Sequence, residues 1–370
     1  MDYVDYRSGA DAMAYQPQLF RIDQKEDAEY FNLLVSDPDL VIHDTLQLQL
    51  AELLKTRHVG QFEDPEALRE AVNVHLGALG LHEYGVWVFY PWCRRLVHIL
   101  DEDEFVELRT SRNKYKITEE EQLLLQSKTV GIVGLSVGSA VAFTMAMERS
   151  CGKLLLADFD TIDLSNLNRI RASLKDLGLN KAVLMAREIS EIDPFLKVEV
   201  YAEGLHEKNM QDFIGQVDLL IDECDSLETK LKMRLVAKEN RVPVVMETSD
   251  RGMLDIERFD KDPNRPLFHG RIEHLAWQAI DGHPSRELSM QLLTSIVDVS
   301  KVSARMRTSY AELGKSISTW PQLASAVMLG GGSVTDTARR LLLGEEVPSG
   351  RFYIDLSELI SSNPQTHVGK

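Results

Sequence analysis

The sequence predicts an α/β protein built on a doubly wound, mostly parallel sheet, with an N-terminal α+β accessory region and a helical C-terminal extension. Three observations carry this. From Lys128 onward, short β-rich runs (TVGIVG, KLLLADFD, KVEVYA, VDLLIDE, VPVVMET) are separated by helical stretches such as KAVLMAREISEI, the alternation that produces parallel sheets. A glycine turn, Gly134-Leu135-Ser136-Val137-Gly138, joins the first run to a helix. An acid, Asp158, closes the next run 20 residues beyond Gly138.

In chain order, residues 1–104 form the accessory region. HDTLQLQLAELLKTR and DPEALREAVNVHLGALGL have helical apolar spacing, and YGVWVFYP and RRLVHIL read as two strands. No chemistry motif stands out there. Residues 105–283 form the main domain, which opens on a basic arm of Arg109, Arg112, Lys114 and Lys116. Thr118 followed by Glu121 is a capping-box pattern that starts a short helix before the first strand. RGMLDIERF extends the sheet. In residues 284–370 helical spacing dominates, with a glycine cluster at Gly330, Gly331 and Gly332, and SGRFYIDL reads as a last strand.

The bulk properties narrow the partners. The 370 residues are enough for two or three structural units. The formal net charge of -17 disfavours nucleic acid and anionic membrane as partners. The N-terminus has neither a basic start nor an apolar run, and Cys93, Cys151 and Cys224 form no C-x-x-C pair. The expectation is a cytoplasmic protein without disulfides or zinc.

The glycine turn has two readings. As G-x-S-x-G it is an elbow presenting Ser136 as a nucleophile, which needs a later acid and a histidine; His206, His269, His274 and His283 are the candidates. As a phosphate turn, Gly134 permits the tight bend, Gly138 lets the helix pack close, and helix N–H groups face an anion. Asp158 favours the second, since an acid there accepts ribose hydroxyls. Three downstream segments favour it too. DFDTIDLSNLNR supplies Asp160, Asn166, Asn168 and Arg169, GLNKAVLMA puts Lys181 at a helix start, and IDECDSLETK puts Asp222 and Asp225 at a strand end. Two cations for phosphate oxygens and a carboxylate for Mg²⁺ suit nucleotidyl transfer, whereas hydride transfer has no use for them. Each has a plainer reading: Arg169 and Lys181 as solvated charges, and Asp225 with Glu228 as a helix cap and its partner.

LADFDTIDLSNLNR and IDECDS resemble the ThiF/MoeB family, bacterial relatives of ubiquitin-activating enzymes; the likeness covers about residues 105–260. The resemblance implies a Rossmann-like homodimer that uses Mg-ATP to adenylate a carboxylate, often the C-terminus of a ubiquitin-like sulfur carrier, or else a small carboxylate. It places Gly134, Ser136 and Gly138 near the phosphates, Asp158 at the ribose, Asp160 among the nucleotide-binding residues, and Asn166, Arg169 and Lys181 on the ATP phosphates. It puts Asp225 on Mg²⁺ with Ser226 beside it, and Arg112 in an arm reaching the partner subunit's site. The sequence departs from the family in a loop one residue shorter, with Ser136 for a glycine, and in lacking any cysteine beyond Cys224. Adenylation is then the end point, with a non-catalytic nucleotide-binding scaffold and the Ser136 hydrolase as alternatives. The segment from STWPQLASAVMLGGG onward resembles ThiF-like proteins in which a nitroreductase-like domain can follow.

Overall fold

The computed structural model describes residues 10–272, 286–298 and 300–360. It divides into two compact units, Met1–Gln122 with Arg187–Leu196, and Leu123–Ala186 with Lys197–Lys370.

The first unit contains β1 (Gln18–Phe20), α1 (Lys25–Val35), β2 (Val41–Asp44), α2 (Leu46–Arg57), α3 (Pro65–Leu76), β3 (Val86–Tyr90), β4 (Arg95–Ile99) and α4 (Glu102–Thr110). Its sheet runs β1-β3-β4-β2. Helix α2 forms because Leu46, Leu50, Leu53 and Leu54 share one face, which is buried with Val72 of α3 and Leu100. Asp64 caps α3, with Pro65 in its first turn. The unit reaches past residue 104 because later segments pack into it. Phe195 meets Phe105 edge-on at 5.3 Å, and the Tyr90 hydroxyl donates to the Ser190 carbonyl at 3.1 Å. Arg112 lies here, in the single 3-10 turn Ser111–Asn113. The Thr118–Glu121 capping box forms as expected: each backbone N–H donates to the other's side chain, at 2.8 and 3.2 Å, and opens α5 (Glu119–Gln126).

The second unit follows the alternation in the sequence: β5 (Thr129–Val133), α6 (Gly138–Glu148), β6 (Lys153–Ala157), α7 (Lys181–Ile192), β7 (Lys197–Tyr201), α8 (Met210–Ile214), β8 (Leu219–Asp222), α9 (Leu227–Glu239), β9 (Val244–Thr248) and β10 (Met253–Glu257). Beyond these lie α10 (Arg286–Val297), α11 (Ala304–Glu312), α12 (Ala324–Leu342) and β11 (Gly350–Tyr353). The sheet order is β11-β10-β9-β8-β5-β6-β7. Strands β5 to β9 are parallel, each to its neighbours, while β10 pairs antiparallel with β9 and with β11. The chain therefore winds outward from β5 in both directions, and the switch between β5 and β8 is where such sheets bind ligands, beyond the strand C-termini. Val133, Leu155, Leu220 and Val244 are packed with Phe213, Phe259 and Phe268 in the core of this unit.

The glycine cluster sits inside α12. A Cβ at Gly330 would stand 2.6 Å from the Glu247 carboxyl carbon, and one at Gly331 would stand 2.8 Å from the Ala140 Cβ, so the helix needs glycine to lie this close. Among the described residues no helix is long and apolar enough to cross a membrane.

Candidate functional site

A cleft of about 800 Å³ opens at the C-terminal ends of β5, β6 and β8. Gly134, Ser136, Asp158, Asp160, Asn166, Arg169, Lys181, Asp225 and Ser226 all line it. These residues come from four segments far apart in sequence, and the fold brings them together. Gly138 does not line the cleft. It begins α6 and packs on Ile132 and Glu223, which suits its expected role of close helix approach. Arg112 belongs to the first unit.

The turn is tight for a definite reason. Gly134 has φ of +88°, and a Cβ there would lie 2.5 Å from the Glu223 carbonyl oxygen. Only glycine fits the conformation and the gap together. Asp158 fixes the turn from the next strand, its carboxylate accepting the Leu135 N–H at 2.6 Å and the Asp160 N–H at 2.8 Å. Burial pushes the Asp158 pKa up against those bonds and the attraction of Lys181. Lys181, the first residue of α7 and buried, donates from Nζ to Asp160 Oδ2 at 2.8 Å. Asn166 is buried and accepts the Asp163 N–H at 3.0 Å, holding the short 3-10 helix Leu164–Asn168 that delivers Arg169.

Arg169 carries a feature that its place in the sequence does not show. Its Nε donates to the Ser136 hydroxyl at 3.0 Å, and Nη1 donates to Asn168 Oδ1 at 2.8 Å. Desolvation lowers its pKa and the charge of Asp225 opposes that. The guanidinium is half-buried, and among the described residues no carboxylate bonds it. Such a group is poised for an anion. The Ser136 hydroxyl is a strut for Arg169, which is more than a small residue in a turn. No described histidine contacts it: His206 accepts the Lys208 N–H, and His269 is engaged by Asp255 and Arg265. His274 and His283 lie outside the described residues.

The two strand-end aspartates differ from each other. Asp222 is fully buried and bonded by Lys230 at 2.9 Å and Arg234 at 2.5 Å, so it is sealed beneath the cleft and meets no ligand. The cap of α9 is Ser226, whose Oγ accepts the Thr229 N–H at 3.2 Å, which leaves Asp225 exposed at the cleft with its carboxylate uncommitted to the helix. Cys224 has its thiol pushed well up by burial, with Sγ 3.3 Å from Asp222 Oδ1.

Residues missed at the sequence level form the far wall and the floor. The loop Ser316–Gln322, within a region read as helical, lines the cleft, and its Gln322 carbonyl accepts from Asn168 Nδ2 at 2.8 Å. A serine- and threonine-rich run ending in Pro321 was the signal in the sequence. Glu223 lines the floor beside Gly134.

In the phosphate-turn reading, Ser136→Ala is expected to lower the affinity for a nucleotide about tenfold, the loss of one hydrogen bond to a charged group, as read by calorimetry. Fluorophosphonate probes are expected to leave the protein unlabelled, and specific labelling of Ser136 would restore the hydrolase reading.

Residues 110–268 match the model described as ThiF family. The chain is 40% identical over 339 residues to an uncharacterized protein of Mycobacterium tuberculosis (strain CDC 1551 / Oshkosh), an alignment covering 92% of this chain and 45% of that protein. It is 27% identical over 146 residues to the molybdopterin-synthase adenylyltransferase of Haemophilus influenzae, covering 39% of this chain and 60% of that one. The chain thus spans about half the length of these curated relatives. Among solved structures, the E. coli tRNA N6-threonylcarbamoyladenosine dehydratase aligns with a TM-score of 0.47 and 19% identity, over 66% of this chain and 97% of that one. Residues 110–268 are therefore a ThiF family domain.

Proposed function

We propose that the second unit binds Mg-ATP in this cleft and adenylates a substrate carboxylate. The observation that carries the reading is the pairing of two cations, Arg169 and Lys181, with the exposed Asp225 above a glycine turn at the sheet's switch point. The name of the Haemophilus influenzae relative, an adenylyltransferase, supports it.

In this reading the substrate carboxylate, already ionised at neutral pH, attacks the α-phosphorus and pyrophosphate leaves. No general base is needed. Arg169, aimed by Ser136, and Lys181, steadied by Asp160, neutralise the charge that builds on the phosphate oxygens. Lys181 is buried and Arg169 half-buried, and their removal from bulk water strengthens both interactions. Asp158 keeps the turn in the shape that receives the phosphates and offers its acid edge to the ribose. Among the described residues no three His, Cys, Asp or Glu are grouped to hold a metal by themselves. Asp225 fits a Mg²⁺ that takes its remaining ligands from phosphate and water. When bound there, the ion supplies further charge neutralisation at the phosphates.

The substrate is a small carboxylate or the C-terminal tail of a ubiquitin-like carrier, and the working form is a homodimer in which Arg112 completes the partner's site. Sedimentation equilibrium tests the dimer, and a monomer at micromolar concentration would refute it. Exchange of labelled pyrophosphate into ATP tests the activity, run against a panel of carboxylates and ubiquitin-like proteins. Exchange with one of them, lost in Asp225→Asn, is expected. Saturable ATP binding with no exchange across the panel would favour a non-catalytic scaffold.

A further inference from the structure

We propose that Glu223, backed by Glu247, forms a subsite in the cleft for a protonated primary amine carried by one of the reactants. The inference rests on the adenylation reading for the identity of those reactants, and on the geometry of the cleft floor for the site itself.

Among the described residues five acids line the cleft: Asp158, Asp160, Asp163, Glu223 and Asp225. Asp158 accepts two backbone N–H groups, Asp160 is paired with Lys181, and Asp163 caps the turn that carries Asn166. Asp225 faces Arg169 and is allotted to Mg²⁺. Glu223 is different. One of its oxygens accepts the Glu247 N–H at 3.1 Å, and no cation bonds the carboxylate among the described residues. The attraction of Lys230 reaches it, but the Lys230 ammonium is bonded to Asp222.

Behind Glu223 stands a second carboxyl group. Glu247 is 5% exposed, and both its oxygens are buried without a hydrogen-bond partner among the described residues. Gly330 of α12 is what makes room for it. Burial pushes the Glu247 pKa up to about 8. Two enclosed carboxyl groups without a counter-charge are costly unless they keep a proton or receive a cation. The cleft is the open side from which a cation can come.

The chemistry selects the kind of cation. The metal ion of this reading is already allotted to Asp225, with phosphate and water as its other ligands. A guanidinium prefers two free carboxylate oxygens in its plane, and one Glu223 oxygen is already taken. An ammonium is a compact charge with three donors and needs only the remaining oxygen. The position matters too. The Glu223 backbone abuts the Gly134 turn and Glu223 lines the same cleft, so an amine bound there would share the cleft with the phosphates.

Two sources share this chemistry. The acid being activated could itself bear the amine. Alternatively the amine belongs to a second reactant that takes the acyl group. Its nitrogen would then form the C–N bond as the C–O bond to AMP breaks, and the ammonium would give up two protons.

The direct test uses the full chain with ATP bound and ethylammonium chloride as probe, followed by the rise in melting temperature. Tetramethylammonium, which has no N–H donor, serves as control. Ethylammonium is expected to stabilise the protein and tetramethylammonium not to, and Glu223→Gln is expected to raise the ethylammonium midpoint at least about tenfold. Equal responses to both ions, or an unchanged midpoint in Glu223→Gln, overturn the proposal. Calorimetric ATP binding is measured alongside. If ATP does not bind, the adenylation reading fails by itself, and the same salts on the nucleotide-free protein still decide the subsite. The sources separate by activity: preference for β-alanine over propionate in pyrophosphate exchange marks an amino acid substrate, and AMP release accelerated by ethylamine marks an acceptor amine. Loss of either effect in Glu223→Gln supports the subsite, and absence of both in the wild type overturns it.

Discussion

Lys181→Ala is expected to weaken ATP binding about 10- to 100-fold and to slow pyrophosphate exchange by about 10²–10³, the size of losing a charge-assisted contact in a screened site. The ammonium is the buried cation at the head of α7, where the helix N-terminus already favours negative charge. It also offsets two acids. Asp160 is bonded to it, and Asp158 has its carboxylate held down in part by its charge. Without Lys181 both would face incoming phosphate with their negative charge unrelieved. The loss therefore combines a missing attraction with a new repulsion. Lys181→Arg should recover only part of the activity, because a planar fork does not reproduce a point charge in a pocket shaped around Asp160. Calorimetry with ATP and Mg²⁺ and the exchange assay measure the two effects. ATP affinity within about a factor of two of wild type in Lys181→Ala would remove this residue from the site.

The fold was legible because its signals are local. Each strand of the second unit is a short β-rich run, each crossover helix begins near a cap or turn, and Thr118 with Glu121 forms the box its spacing announces. The Gly134 turn, Asp158, Arg169 and Lys181 were legible for the same reason, since each stands at the end of a run or the start of a helix. What the sequence hid depends on register. Glu223 and Glu247 are 24 residues apart, and only the pairing of β8 with β9 brings them side by side. The Ser136–Arg169 bond spans 33 residues and needs the Asn166 turn to be built first. Asp222 and Asp225 look alike as strand-end acids, yet one is sealed and the other open, because the side chains that decide it come from α9 and β10.

Arg234→Ala is expected to destabilise the second unit by about 3–5 kcal/mol, the cost of removing one partner from a buried ion pair and leaving the others charged. Arg234 is fully buried, bonds Asp222 and Glu257 at 2.5 Å each, and stacks 3.9 Å from the Phe268 ring centroid. One guanidinium thus ties β8 to β10 beneath the cleft floor. The pH dependence comes from Asp222. Burial pushes its pKa up, but Lys230 and Arg234 outweigh that and hold it below the usual carboxylate range. A depressed carboxylate contributes stability that is present above its unfolded value and is lost as pH falls through the folded one. Urea unfolding of the wild type should show this loss in the acid range, and Arg234→Ala should show a smaller one, because its Asp222 starts from a higher pKa. Since Asp222 leads directly into Glu223, Cys224 and Asp225, the variant should also weaken ATP binding even though Arg234 does not line the cleft. A loss below about 1 kcal/mol at neutral pH would mean that the network relaxes or admits water when the arginine is removed, and the rigid floor required by the proposed chemistry would have to be sought elsewhere.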